Sequence, residues 1–142
     1  LNENLNRLEN LTSNSQPLWG KMNAAQMLAH VNIAYGIDDG SIPVEKPNFF
    51  MKLLLKNVIK KVVTGEKPYA KNSRTAPVFL VSDERIFETE KANLIKNMKK
   101  VQQNGASHYE GKVNPSFGKM NSSEWNNMFS KHLDHHFAQF GI

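Results

Sequence analysis

Five histidines stand in this 142-residue chain, and three are spaced to act together. His30 closes the segment PLWGKMNAAQMLAH (17–30), and His132, His135 and His136 cluster in KHLDHHFAQFG (131–141). His132 and His136 form an i, i+4 pair, the spacing at which two side chains on one helix face reach a single ion. His30, from a facing helix, would complete a three-imidazole donor set. Such a set suits a divalent transition metal, with Zn or Ni expected first and Fe or Cu as alternatives. No fourth protein ligand is evident, so one position would stay open to water, as in catalytic rather than structural sites. The chain has no cysteine, so any metal must be held by His, Asp or Glu, and an internal thiol nucleophile is excluded. The competing reading is that the histidines are simply hydrogen-bonded in a semi-polar core.

Whether the imidazoles meet depends on the helices that carry them. PLWGKMN (17–23) and PSFGKMN (115–121) share the pattern P-x-[WF]-G-K-M-N. Each ends in an Asn suited to cap a helix, with Gln26 or Glu124 three residues on, an Asn version of the capping box. Counting about 100° per residue from each cap puts His30 near −20°, His132 near +20° and His136 near +60°. Each falls inside an apolar stripe: Met27, Val31 and Ala34 around the first, Trp125, Phe129 and Phe140 around the other two. His135 falls at the stripe's edge and Asp134 beyond it. At about 1.5 Å per residue, His30 lies roughly 10 Å from the start of its helix. The midpoint of His132 and His136 lies roughly 9 Å from the end of theirs. Antiparallel packing with level ends therefore brings the three to one height.

Four main helices are expected: one carrying Leu1, Leu5, Leu8 and Leu11, then about 23–37, one starting at Ser82 and stopped by Asn104–Gly105, and about 121–140. Asp83 and Glu84 would lie in the first turn of the third. Short links make helices one and two antiparallel, and likewise three and four. With the fourth opposing the second, the second and third are parallel, and residues 40–82 supply the long crossover this needs. The predicted class is all-α, a single-domain four-helix bundle in up-down-down-up order. PVFLV (77–81) is the best extended segment, and a Gly/Pro-bearing loop is expected up to Met120.

LAHV on the second helix and HLDHHFAQFG on the fourth resemble the DinB/YfiT-like superfamily, with further similarity in SQPLWGKMNAAQMLAH and RTAPVFLV to a bacterial branch of unassigned function. The resemblance covers nearly the whole chain. It implies the same bundle order and a divalent metal held by His30, His132 and His136. His135 and Gln139 complete its H-x-x-H-H-x-x-Q pattern and would support the ligands. Some relatives are thiol-dependent transferases or isomerases and others look like hydrolases, so the resemblance speaks for the site more than for a reaction. The expected partner is a small molecule, with a low-molecular-weight thiol as one case.

The remaining features are weaker. The net charge is +5 and the pI about 9.5, which permits anionic partners but more often means a solvated surface. No nucleic-acid module, phosphate-binding glycine loop or nucleophile elbow is present, so no nucleic-acid partner is expected. No apolar run approaches the roughly 20 residues of a membrane span and no signal peptide is visible, so the expected location is cytoplasmic. FFMKLLLKNVIKKVV (49–63) predicts a short accessory helix in the crossover, with Lys52, Lys56 and Lys60 on one stripe. It is expected to pack its apolar side on the bundle. The alternative is a non-enzymatic bundle with structural histidines that binds an anionic surface through this helix. Arg74, in the same crossover, is the candidate for holding an anionic substrate, although a plain surface role is equally compatible with its setting. His108 is expected to be a solvent-exposed bystander. The chain begins at Leu1 rather than Met, which leaves open whether residues precede it, and a homodimer remains compatible with the sequence.

Overall fold

The computed structural model describes all residues 1–142. Its main helices are α1 (Asn2–Glu9), α2 (Ala24–Asp39), α5 (Phe87–Tyr109) and α6 (Ser122–Gln139). The crossover carries α3 (Phe49–Leu54), a π-helical stretch (Leu55–Ile59) and α4 (Lys60–Thr64), which run on as one accessory helix.

The side-chain pairings give the directions. Gln26 reaches Asp83, Asn32 reaches Glu90 and Asn97, and Asp39 reaches Lys100, so α2 and α5 run parallel. Tyr35 stacks on Phe129 while His30 meets His132, so α2 and α6 are antiparallel. Arg7, late in α1, pairs with Asp134, late in α6. The order is up-down-down-up, and the crossover makes the parallel α2–α5 pair possible. The core is one cluster that includes Leu8, Leu11, Met27, Leu28, Leu94, Trp125 and Phe137.

Both repeated openings form complete capping boxes. Asn23 Oδ1 accepts from the Gln26 N–H at 2.9 Å and Gln26 Oε1 from the Asn23 N–H at 3.1 Å. The Asn121–Glu124 box closes at 2.8 and 2.9 Å. Asn23→Ala and Asn121→Ala are each expected to cost about 1 kcal/mol in denaturant melts. Their effects on metal affinity should differ. His30 lies about two turns from its cap, His132 and His136 three to four from theirs. Asn23→Ala should therefore weaken binding more at equal loss of stability. Equal affinities, measured well below the melting transition, would show that the opening serves folding alone.

Three local expectations are corrected. The third helix starts at Phe87, not Ser82, and its first-turn acids are Glu88 and Glu90 rather than Asp83 and Glu84. Gln26 Nε2 donates to the Asp83 carbonyl at 3.2 Å, occupying an acceptor a helix there would use, and Phe87 is the first residue of the segment to enter the core. The PVFLV segment is a 3-10 turn over Pro77–Phe79, because proline pre-sets a helical φ and no strand lies alongside to pair with it. The expected loop before Met120 contains a small antiparallel pairing of Val113–Asn114 with Gly118–Lys119. The predicted stop at Asn104–Gly105 is a sharp break: Gly105 takes φ 70° and ψ 172°, and one more helical turn follows to Tyr109.

The accessory helix also departs from expectation. Leu55, Ile59 and Val63 lean on the bundle, but none of the residues from Phe49 to Thr64 is buried, and large apolar side chains face outward.

Candidate metal centre

His30 sits in the middle of α2 and His132 and His136 in the last turns of α6, and the antiparallel crossing brings their rings together. The ring centroids are 4.6 Å (His30–His136), 4.9 Å (His132–His136) and 5.0 Å (His30–His132) apart. One ring nitrogen of each lies within 4.8 Å of one from each of the others. His30 and His136 are buried at 6% exposure each, and His132 is half-buried.

The second nitrogens settle the orientation. His30 Nδ1 lies 2.8 Å from the Phe79 carbonyl oxygen, an acceptor only, so Nδ1 carries the proton and Nε2 presents a lone pair. His136 Nδ1 lies 2.8 Å from Gln139 Oε1, while Gln139 Nε2 donates to the Trp19 carbonyl at 2.7 Å. The amide's orientation is thereby fixed, and His136 also presents Nε2. That atom makes no protein hydrogen bond. His30 Nε2 and His132 Nε2 are 3.0 Å apart. Two nitrogens held at about 2.0–2.1 Å by one tetrahedral ion would be about 3.3 Å apart. The His30–His132 pair is therefore already near the spacing one ion requires, and His136, within 4.8 Å of both, closes on it by a modest ring movement.

The electrostatics point the same way. Burial lowers the pKa of His30, outweighing the Phe79 hydrogen bond that raises it. Burial, and then the neighbouring histidines, push His132 well below the ordinary range. Burial, with His30 adding to it, takes His136 down to about 3. Neutral imidazoles place no like charge in front of a cation; His30 and His136 present Nε2 lone pairs, and His132, which donates its Nε2 proton to His30 Nε2 across the 3.0 Å contact, frees its own by changing tautomer when an ion binds. From ordinary His behaviour, metal affinity would fall through the usual range near pH 6.5. Burial moves that competition to lower pH in the folded protein.

Gly20 allows the Gln139 brace. Its φ is +84°, and a Cβ there would stand 2.6 Å from Gln139 Nε2. The corresponding Gly118 also has positive φ but faces open space. The glycine of the repeated opening thus has a site role in the first copy only. Gln139→Leu removes the acceptor for His136 Nδ1 and the donor to Trp19. It is expected to weaken metal binding about 10–100-fold, measured by competition with a chromophoric chelator; unchanged affinity would show that Gln139 does not orient the ligand.

His135 makes no hydrogen bond to the triad. Its ring stands edge-on to His136, Trp19 and Tyr69, with centroids at 5.0, 5.9 and 5.6 Å. It lines a cavity of about 520 Å³ together with Trp19, Tyr69, Lys71, Lys131 and Glu66. Lys71 lies over the Trp19 ring at 4.4 Å and Lys131 over Tyr69 at 4.5 Å. Arg74 is exposed in the crossover and makes no ion pair or hydrogen bond. His108 is exposed at the far end of α5, 3.3 Å from Lys112. A second concavity of about 480 Å³ between α1, α5 and α6 offers no histidine, carboxylate or amine.

Sequence reasoning missed the Phe79 carbonyl and the Trp19–Tyr69–lysine walls. The segment RTAPVFLV contains Phe79, but nothing in its residue types says that a backbone oxygen there meets a histidine 49 positions earlier.

A family model described as "Protein of unknown function (DUF1569)" matches residues 1–141. No curated protein matches the chain, and no solved structure does.

Proposed function

The chain belongs to the DUF1569 family, whose description assigns no reaction, and from the site itself we propose that it is a divalent-metal-dependent enzyme of DinB-like type acting on a small molecule. The observation that carries this reading is the convergence of the three imidazoles, two with their outward nitrogens tied back and all with lowered pKa; His135, edge-on to His136, links them to a cavity large enough for a small substrate that it lines and they do not. The metal ligands are His30, His132 and His136. Gln139 and the Phe79 carbonyl hold two of the rings in register. A bound Zn or Ni ion would supply Lewis acidity, which serves either hydrolysis or transfer of a low-molecular-weight thiol; the chain contributes no thiol of its own.

The chain's own residues then bind and orient. Trp19 and Tyr69 form flat apolar walls with His135 between them, which suits the body of a small organic substrate. Lys71 on the rim, with Arg74 in the crossover, supplies positive charge for an anionic group. His135, half-buried and with its pKa lowered by burial, is neutral at pH 7 and available to accept a proton within the cavity. The reading places the enzyme in the cytoplasm.

Elemental analysis of protein purified from metal-replete cells tests the reading. One divalent ion per chain is expected, followed by turnover in a panel of ester, amide and thiol-transfer substrates that disappears with chelation. Protein that stays metal-free and binds neither Zn nor Ni in calorimetry would reduce the histidines to core packing.

A further inference from the structure

The accessory helix presents two apolar rows about a quarter of a turn apart. Leu55, Ile59 and Val63, each half-buried, recur every four residues on the side toward the bundle, and Met51 continues the row into the exposed N-terminal end. Phe50, Leu54, Val58 and Val62 form a second such row, exposed by 81, 45, 50 and 53%. The π-helical stretch keeps both rows in line, because more than four residues per turn cancels the drift that a four-residue spacing suffers in an α-helix. Phe49 (70% exposed) and Leu53 (45%) widen the outer row at its N-terminal end.

The outward face is held in place. Lys60 pairs with Glu124 at 2.9 Å, Asn127 Nδ2 donates to the Thr64 carbonyl at 3.0 Å, and Lys131 Nζ donates to the carbonyls of Val62 and Gly65. Every one of these ties comes from α6, between Glu124 and Lys131, and lies at the C-terminal end of the accessory helix, so the phenylalanine end projects free. A contiguous apolar face of this kind marks an interaction surface.

We propose that this face docks the protein on an anionic lipid surface. The charge pattern selects that occupant. No acidic residue occurs between Glu45 and Glu66, while Lys46, Lys52, Lys56 and Lys61 are exposed and unpaired around the apolar rows. A basic, apolar-faced helix lying in the headgroup region buries its apolar side chains among acyl chains and sets its lysines against lipid phosphates. A second copy of the chain is disfavoured on the same ground: a two-fold contact would bring the same basic segment from each copy and no acidic residue to answer it. No helix is long and apolar enough to cross a membrane, so the contact is interfacial. The proposal is independent of the metal centre.

Flotation of the full chain with phosphatidylcholine vesicles, with and without phosphatidylglycerol, tests it. Partition is expected onto the phosphatidylglycerol vesicles, decreasing as salt is raised. Phe49→Ser with Phe50→Ser, at exposed positions outside the core whose change should leave the bundle's melting unaltered, should reduce partition about tenfold or more, and Lys52→Glu with Lys56→Glu should do the same. Equal recovery with both vesicle types, or partition indifferent to the phenylalanines, overturns the proposal. So does light scattering that finds the wild type dimeric and the phenylalanine variant monomeric, since the face would then belong to a second copy.

Discussion

His132→Ala is expected to abolish stoichiometric divalent-metal binding while leaving the bundle folded. His132 faces His30 at 3.0 Å between nitrogens and its ring sits against His136, so its removal leaves two donors on different helices and opens a second coordination position. Loss of groups that merely brace a ligand costs about 10–100-fold in affinity. Loss of a ligand should exceed about 100-fold, readable as absent metal after desalting and as a collapsed calorimetric isotherm. The half-buried position makes the fold tolerant, which circular dichroism checks. His108→Ala is the control: the residue is exposed beside Lys112, and its loss should leave the isotherm unchanged. Undiminished binding by His132→Ala would mean that the ion sits elsewhere.

Metal-free protein is expected to lose stability steeply between pH 6.5 and pH 5. The sign follows from the lowered pKa values. Above about pH 6.5 the buried histidines are neutral in both folded and unfolded chains and contribute no pH dependence. Below it the unfolded chain takes up protons that the folded chain refuses, so the folded state is penalised by about 1.4 kcal/mol per pH unit for each such histidine. For His136, held at about 3, the penalty reaches about 2 kcal/mol at pH 5. His30 and His132, lowered by burial as well, act in the same direction. Two carboxylates with lowered pKa act only below this window. Asp39 is lowered by its hydrogen bond from Ser41 and Glu110 by the Ser122 N–H, so both stay ionised until lower pH. Urea melts at pH 7 and pH 5 measure the loss, and His136→Leu should reduce the slope by about 1.4 kcal/mol per pH unit. A stability independent of pH over this range would show that the imidazoles are protonated or solvated in the folded protein. Saturating metal should raise stability at pH 7 by about 2.7 kcal/mol at a free concentration 100 times Kd, and the gain should persist at pH 5, because the folded ligands take up protons only at lower pH.

The parts of this protein legible in the sequence are those set by short-range physics. Asn23 and Asn121 mark helix starts because a cap needs only its own side chain and the next three N–H groups, and both boxes form at those positions. From there the 3.6-residue period places His30, His132 and His136 on inward faces, and the length of the crossover implies a parallel α2–α5 pair. Where no cap marks the start the sequence is less legible: Ile86 offers no side-chain cap, and the helix begins where Phe87 finds the core rather than at Ser82. Tertiary structure alone decided what the ligands' second nitrogens meet. The partners are the Phe79 backbone oxygen and the amide of Gln139, itself oriented by the Trp19 carbonyl 120 positions away in the chain, and a carbonyl carries no mark of its use in the residue type that bears it. Tertiary structure also decided which side of the accessory helix meets the bundle. Residues 49–63 are apolar on two sides, so periodicity alone could not choose; the ties of Lys60, Thr64 and Gly65 to α6 select one row and leave Phe50, Leu54, Val58 and Val62 facing outward.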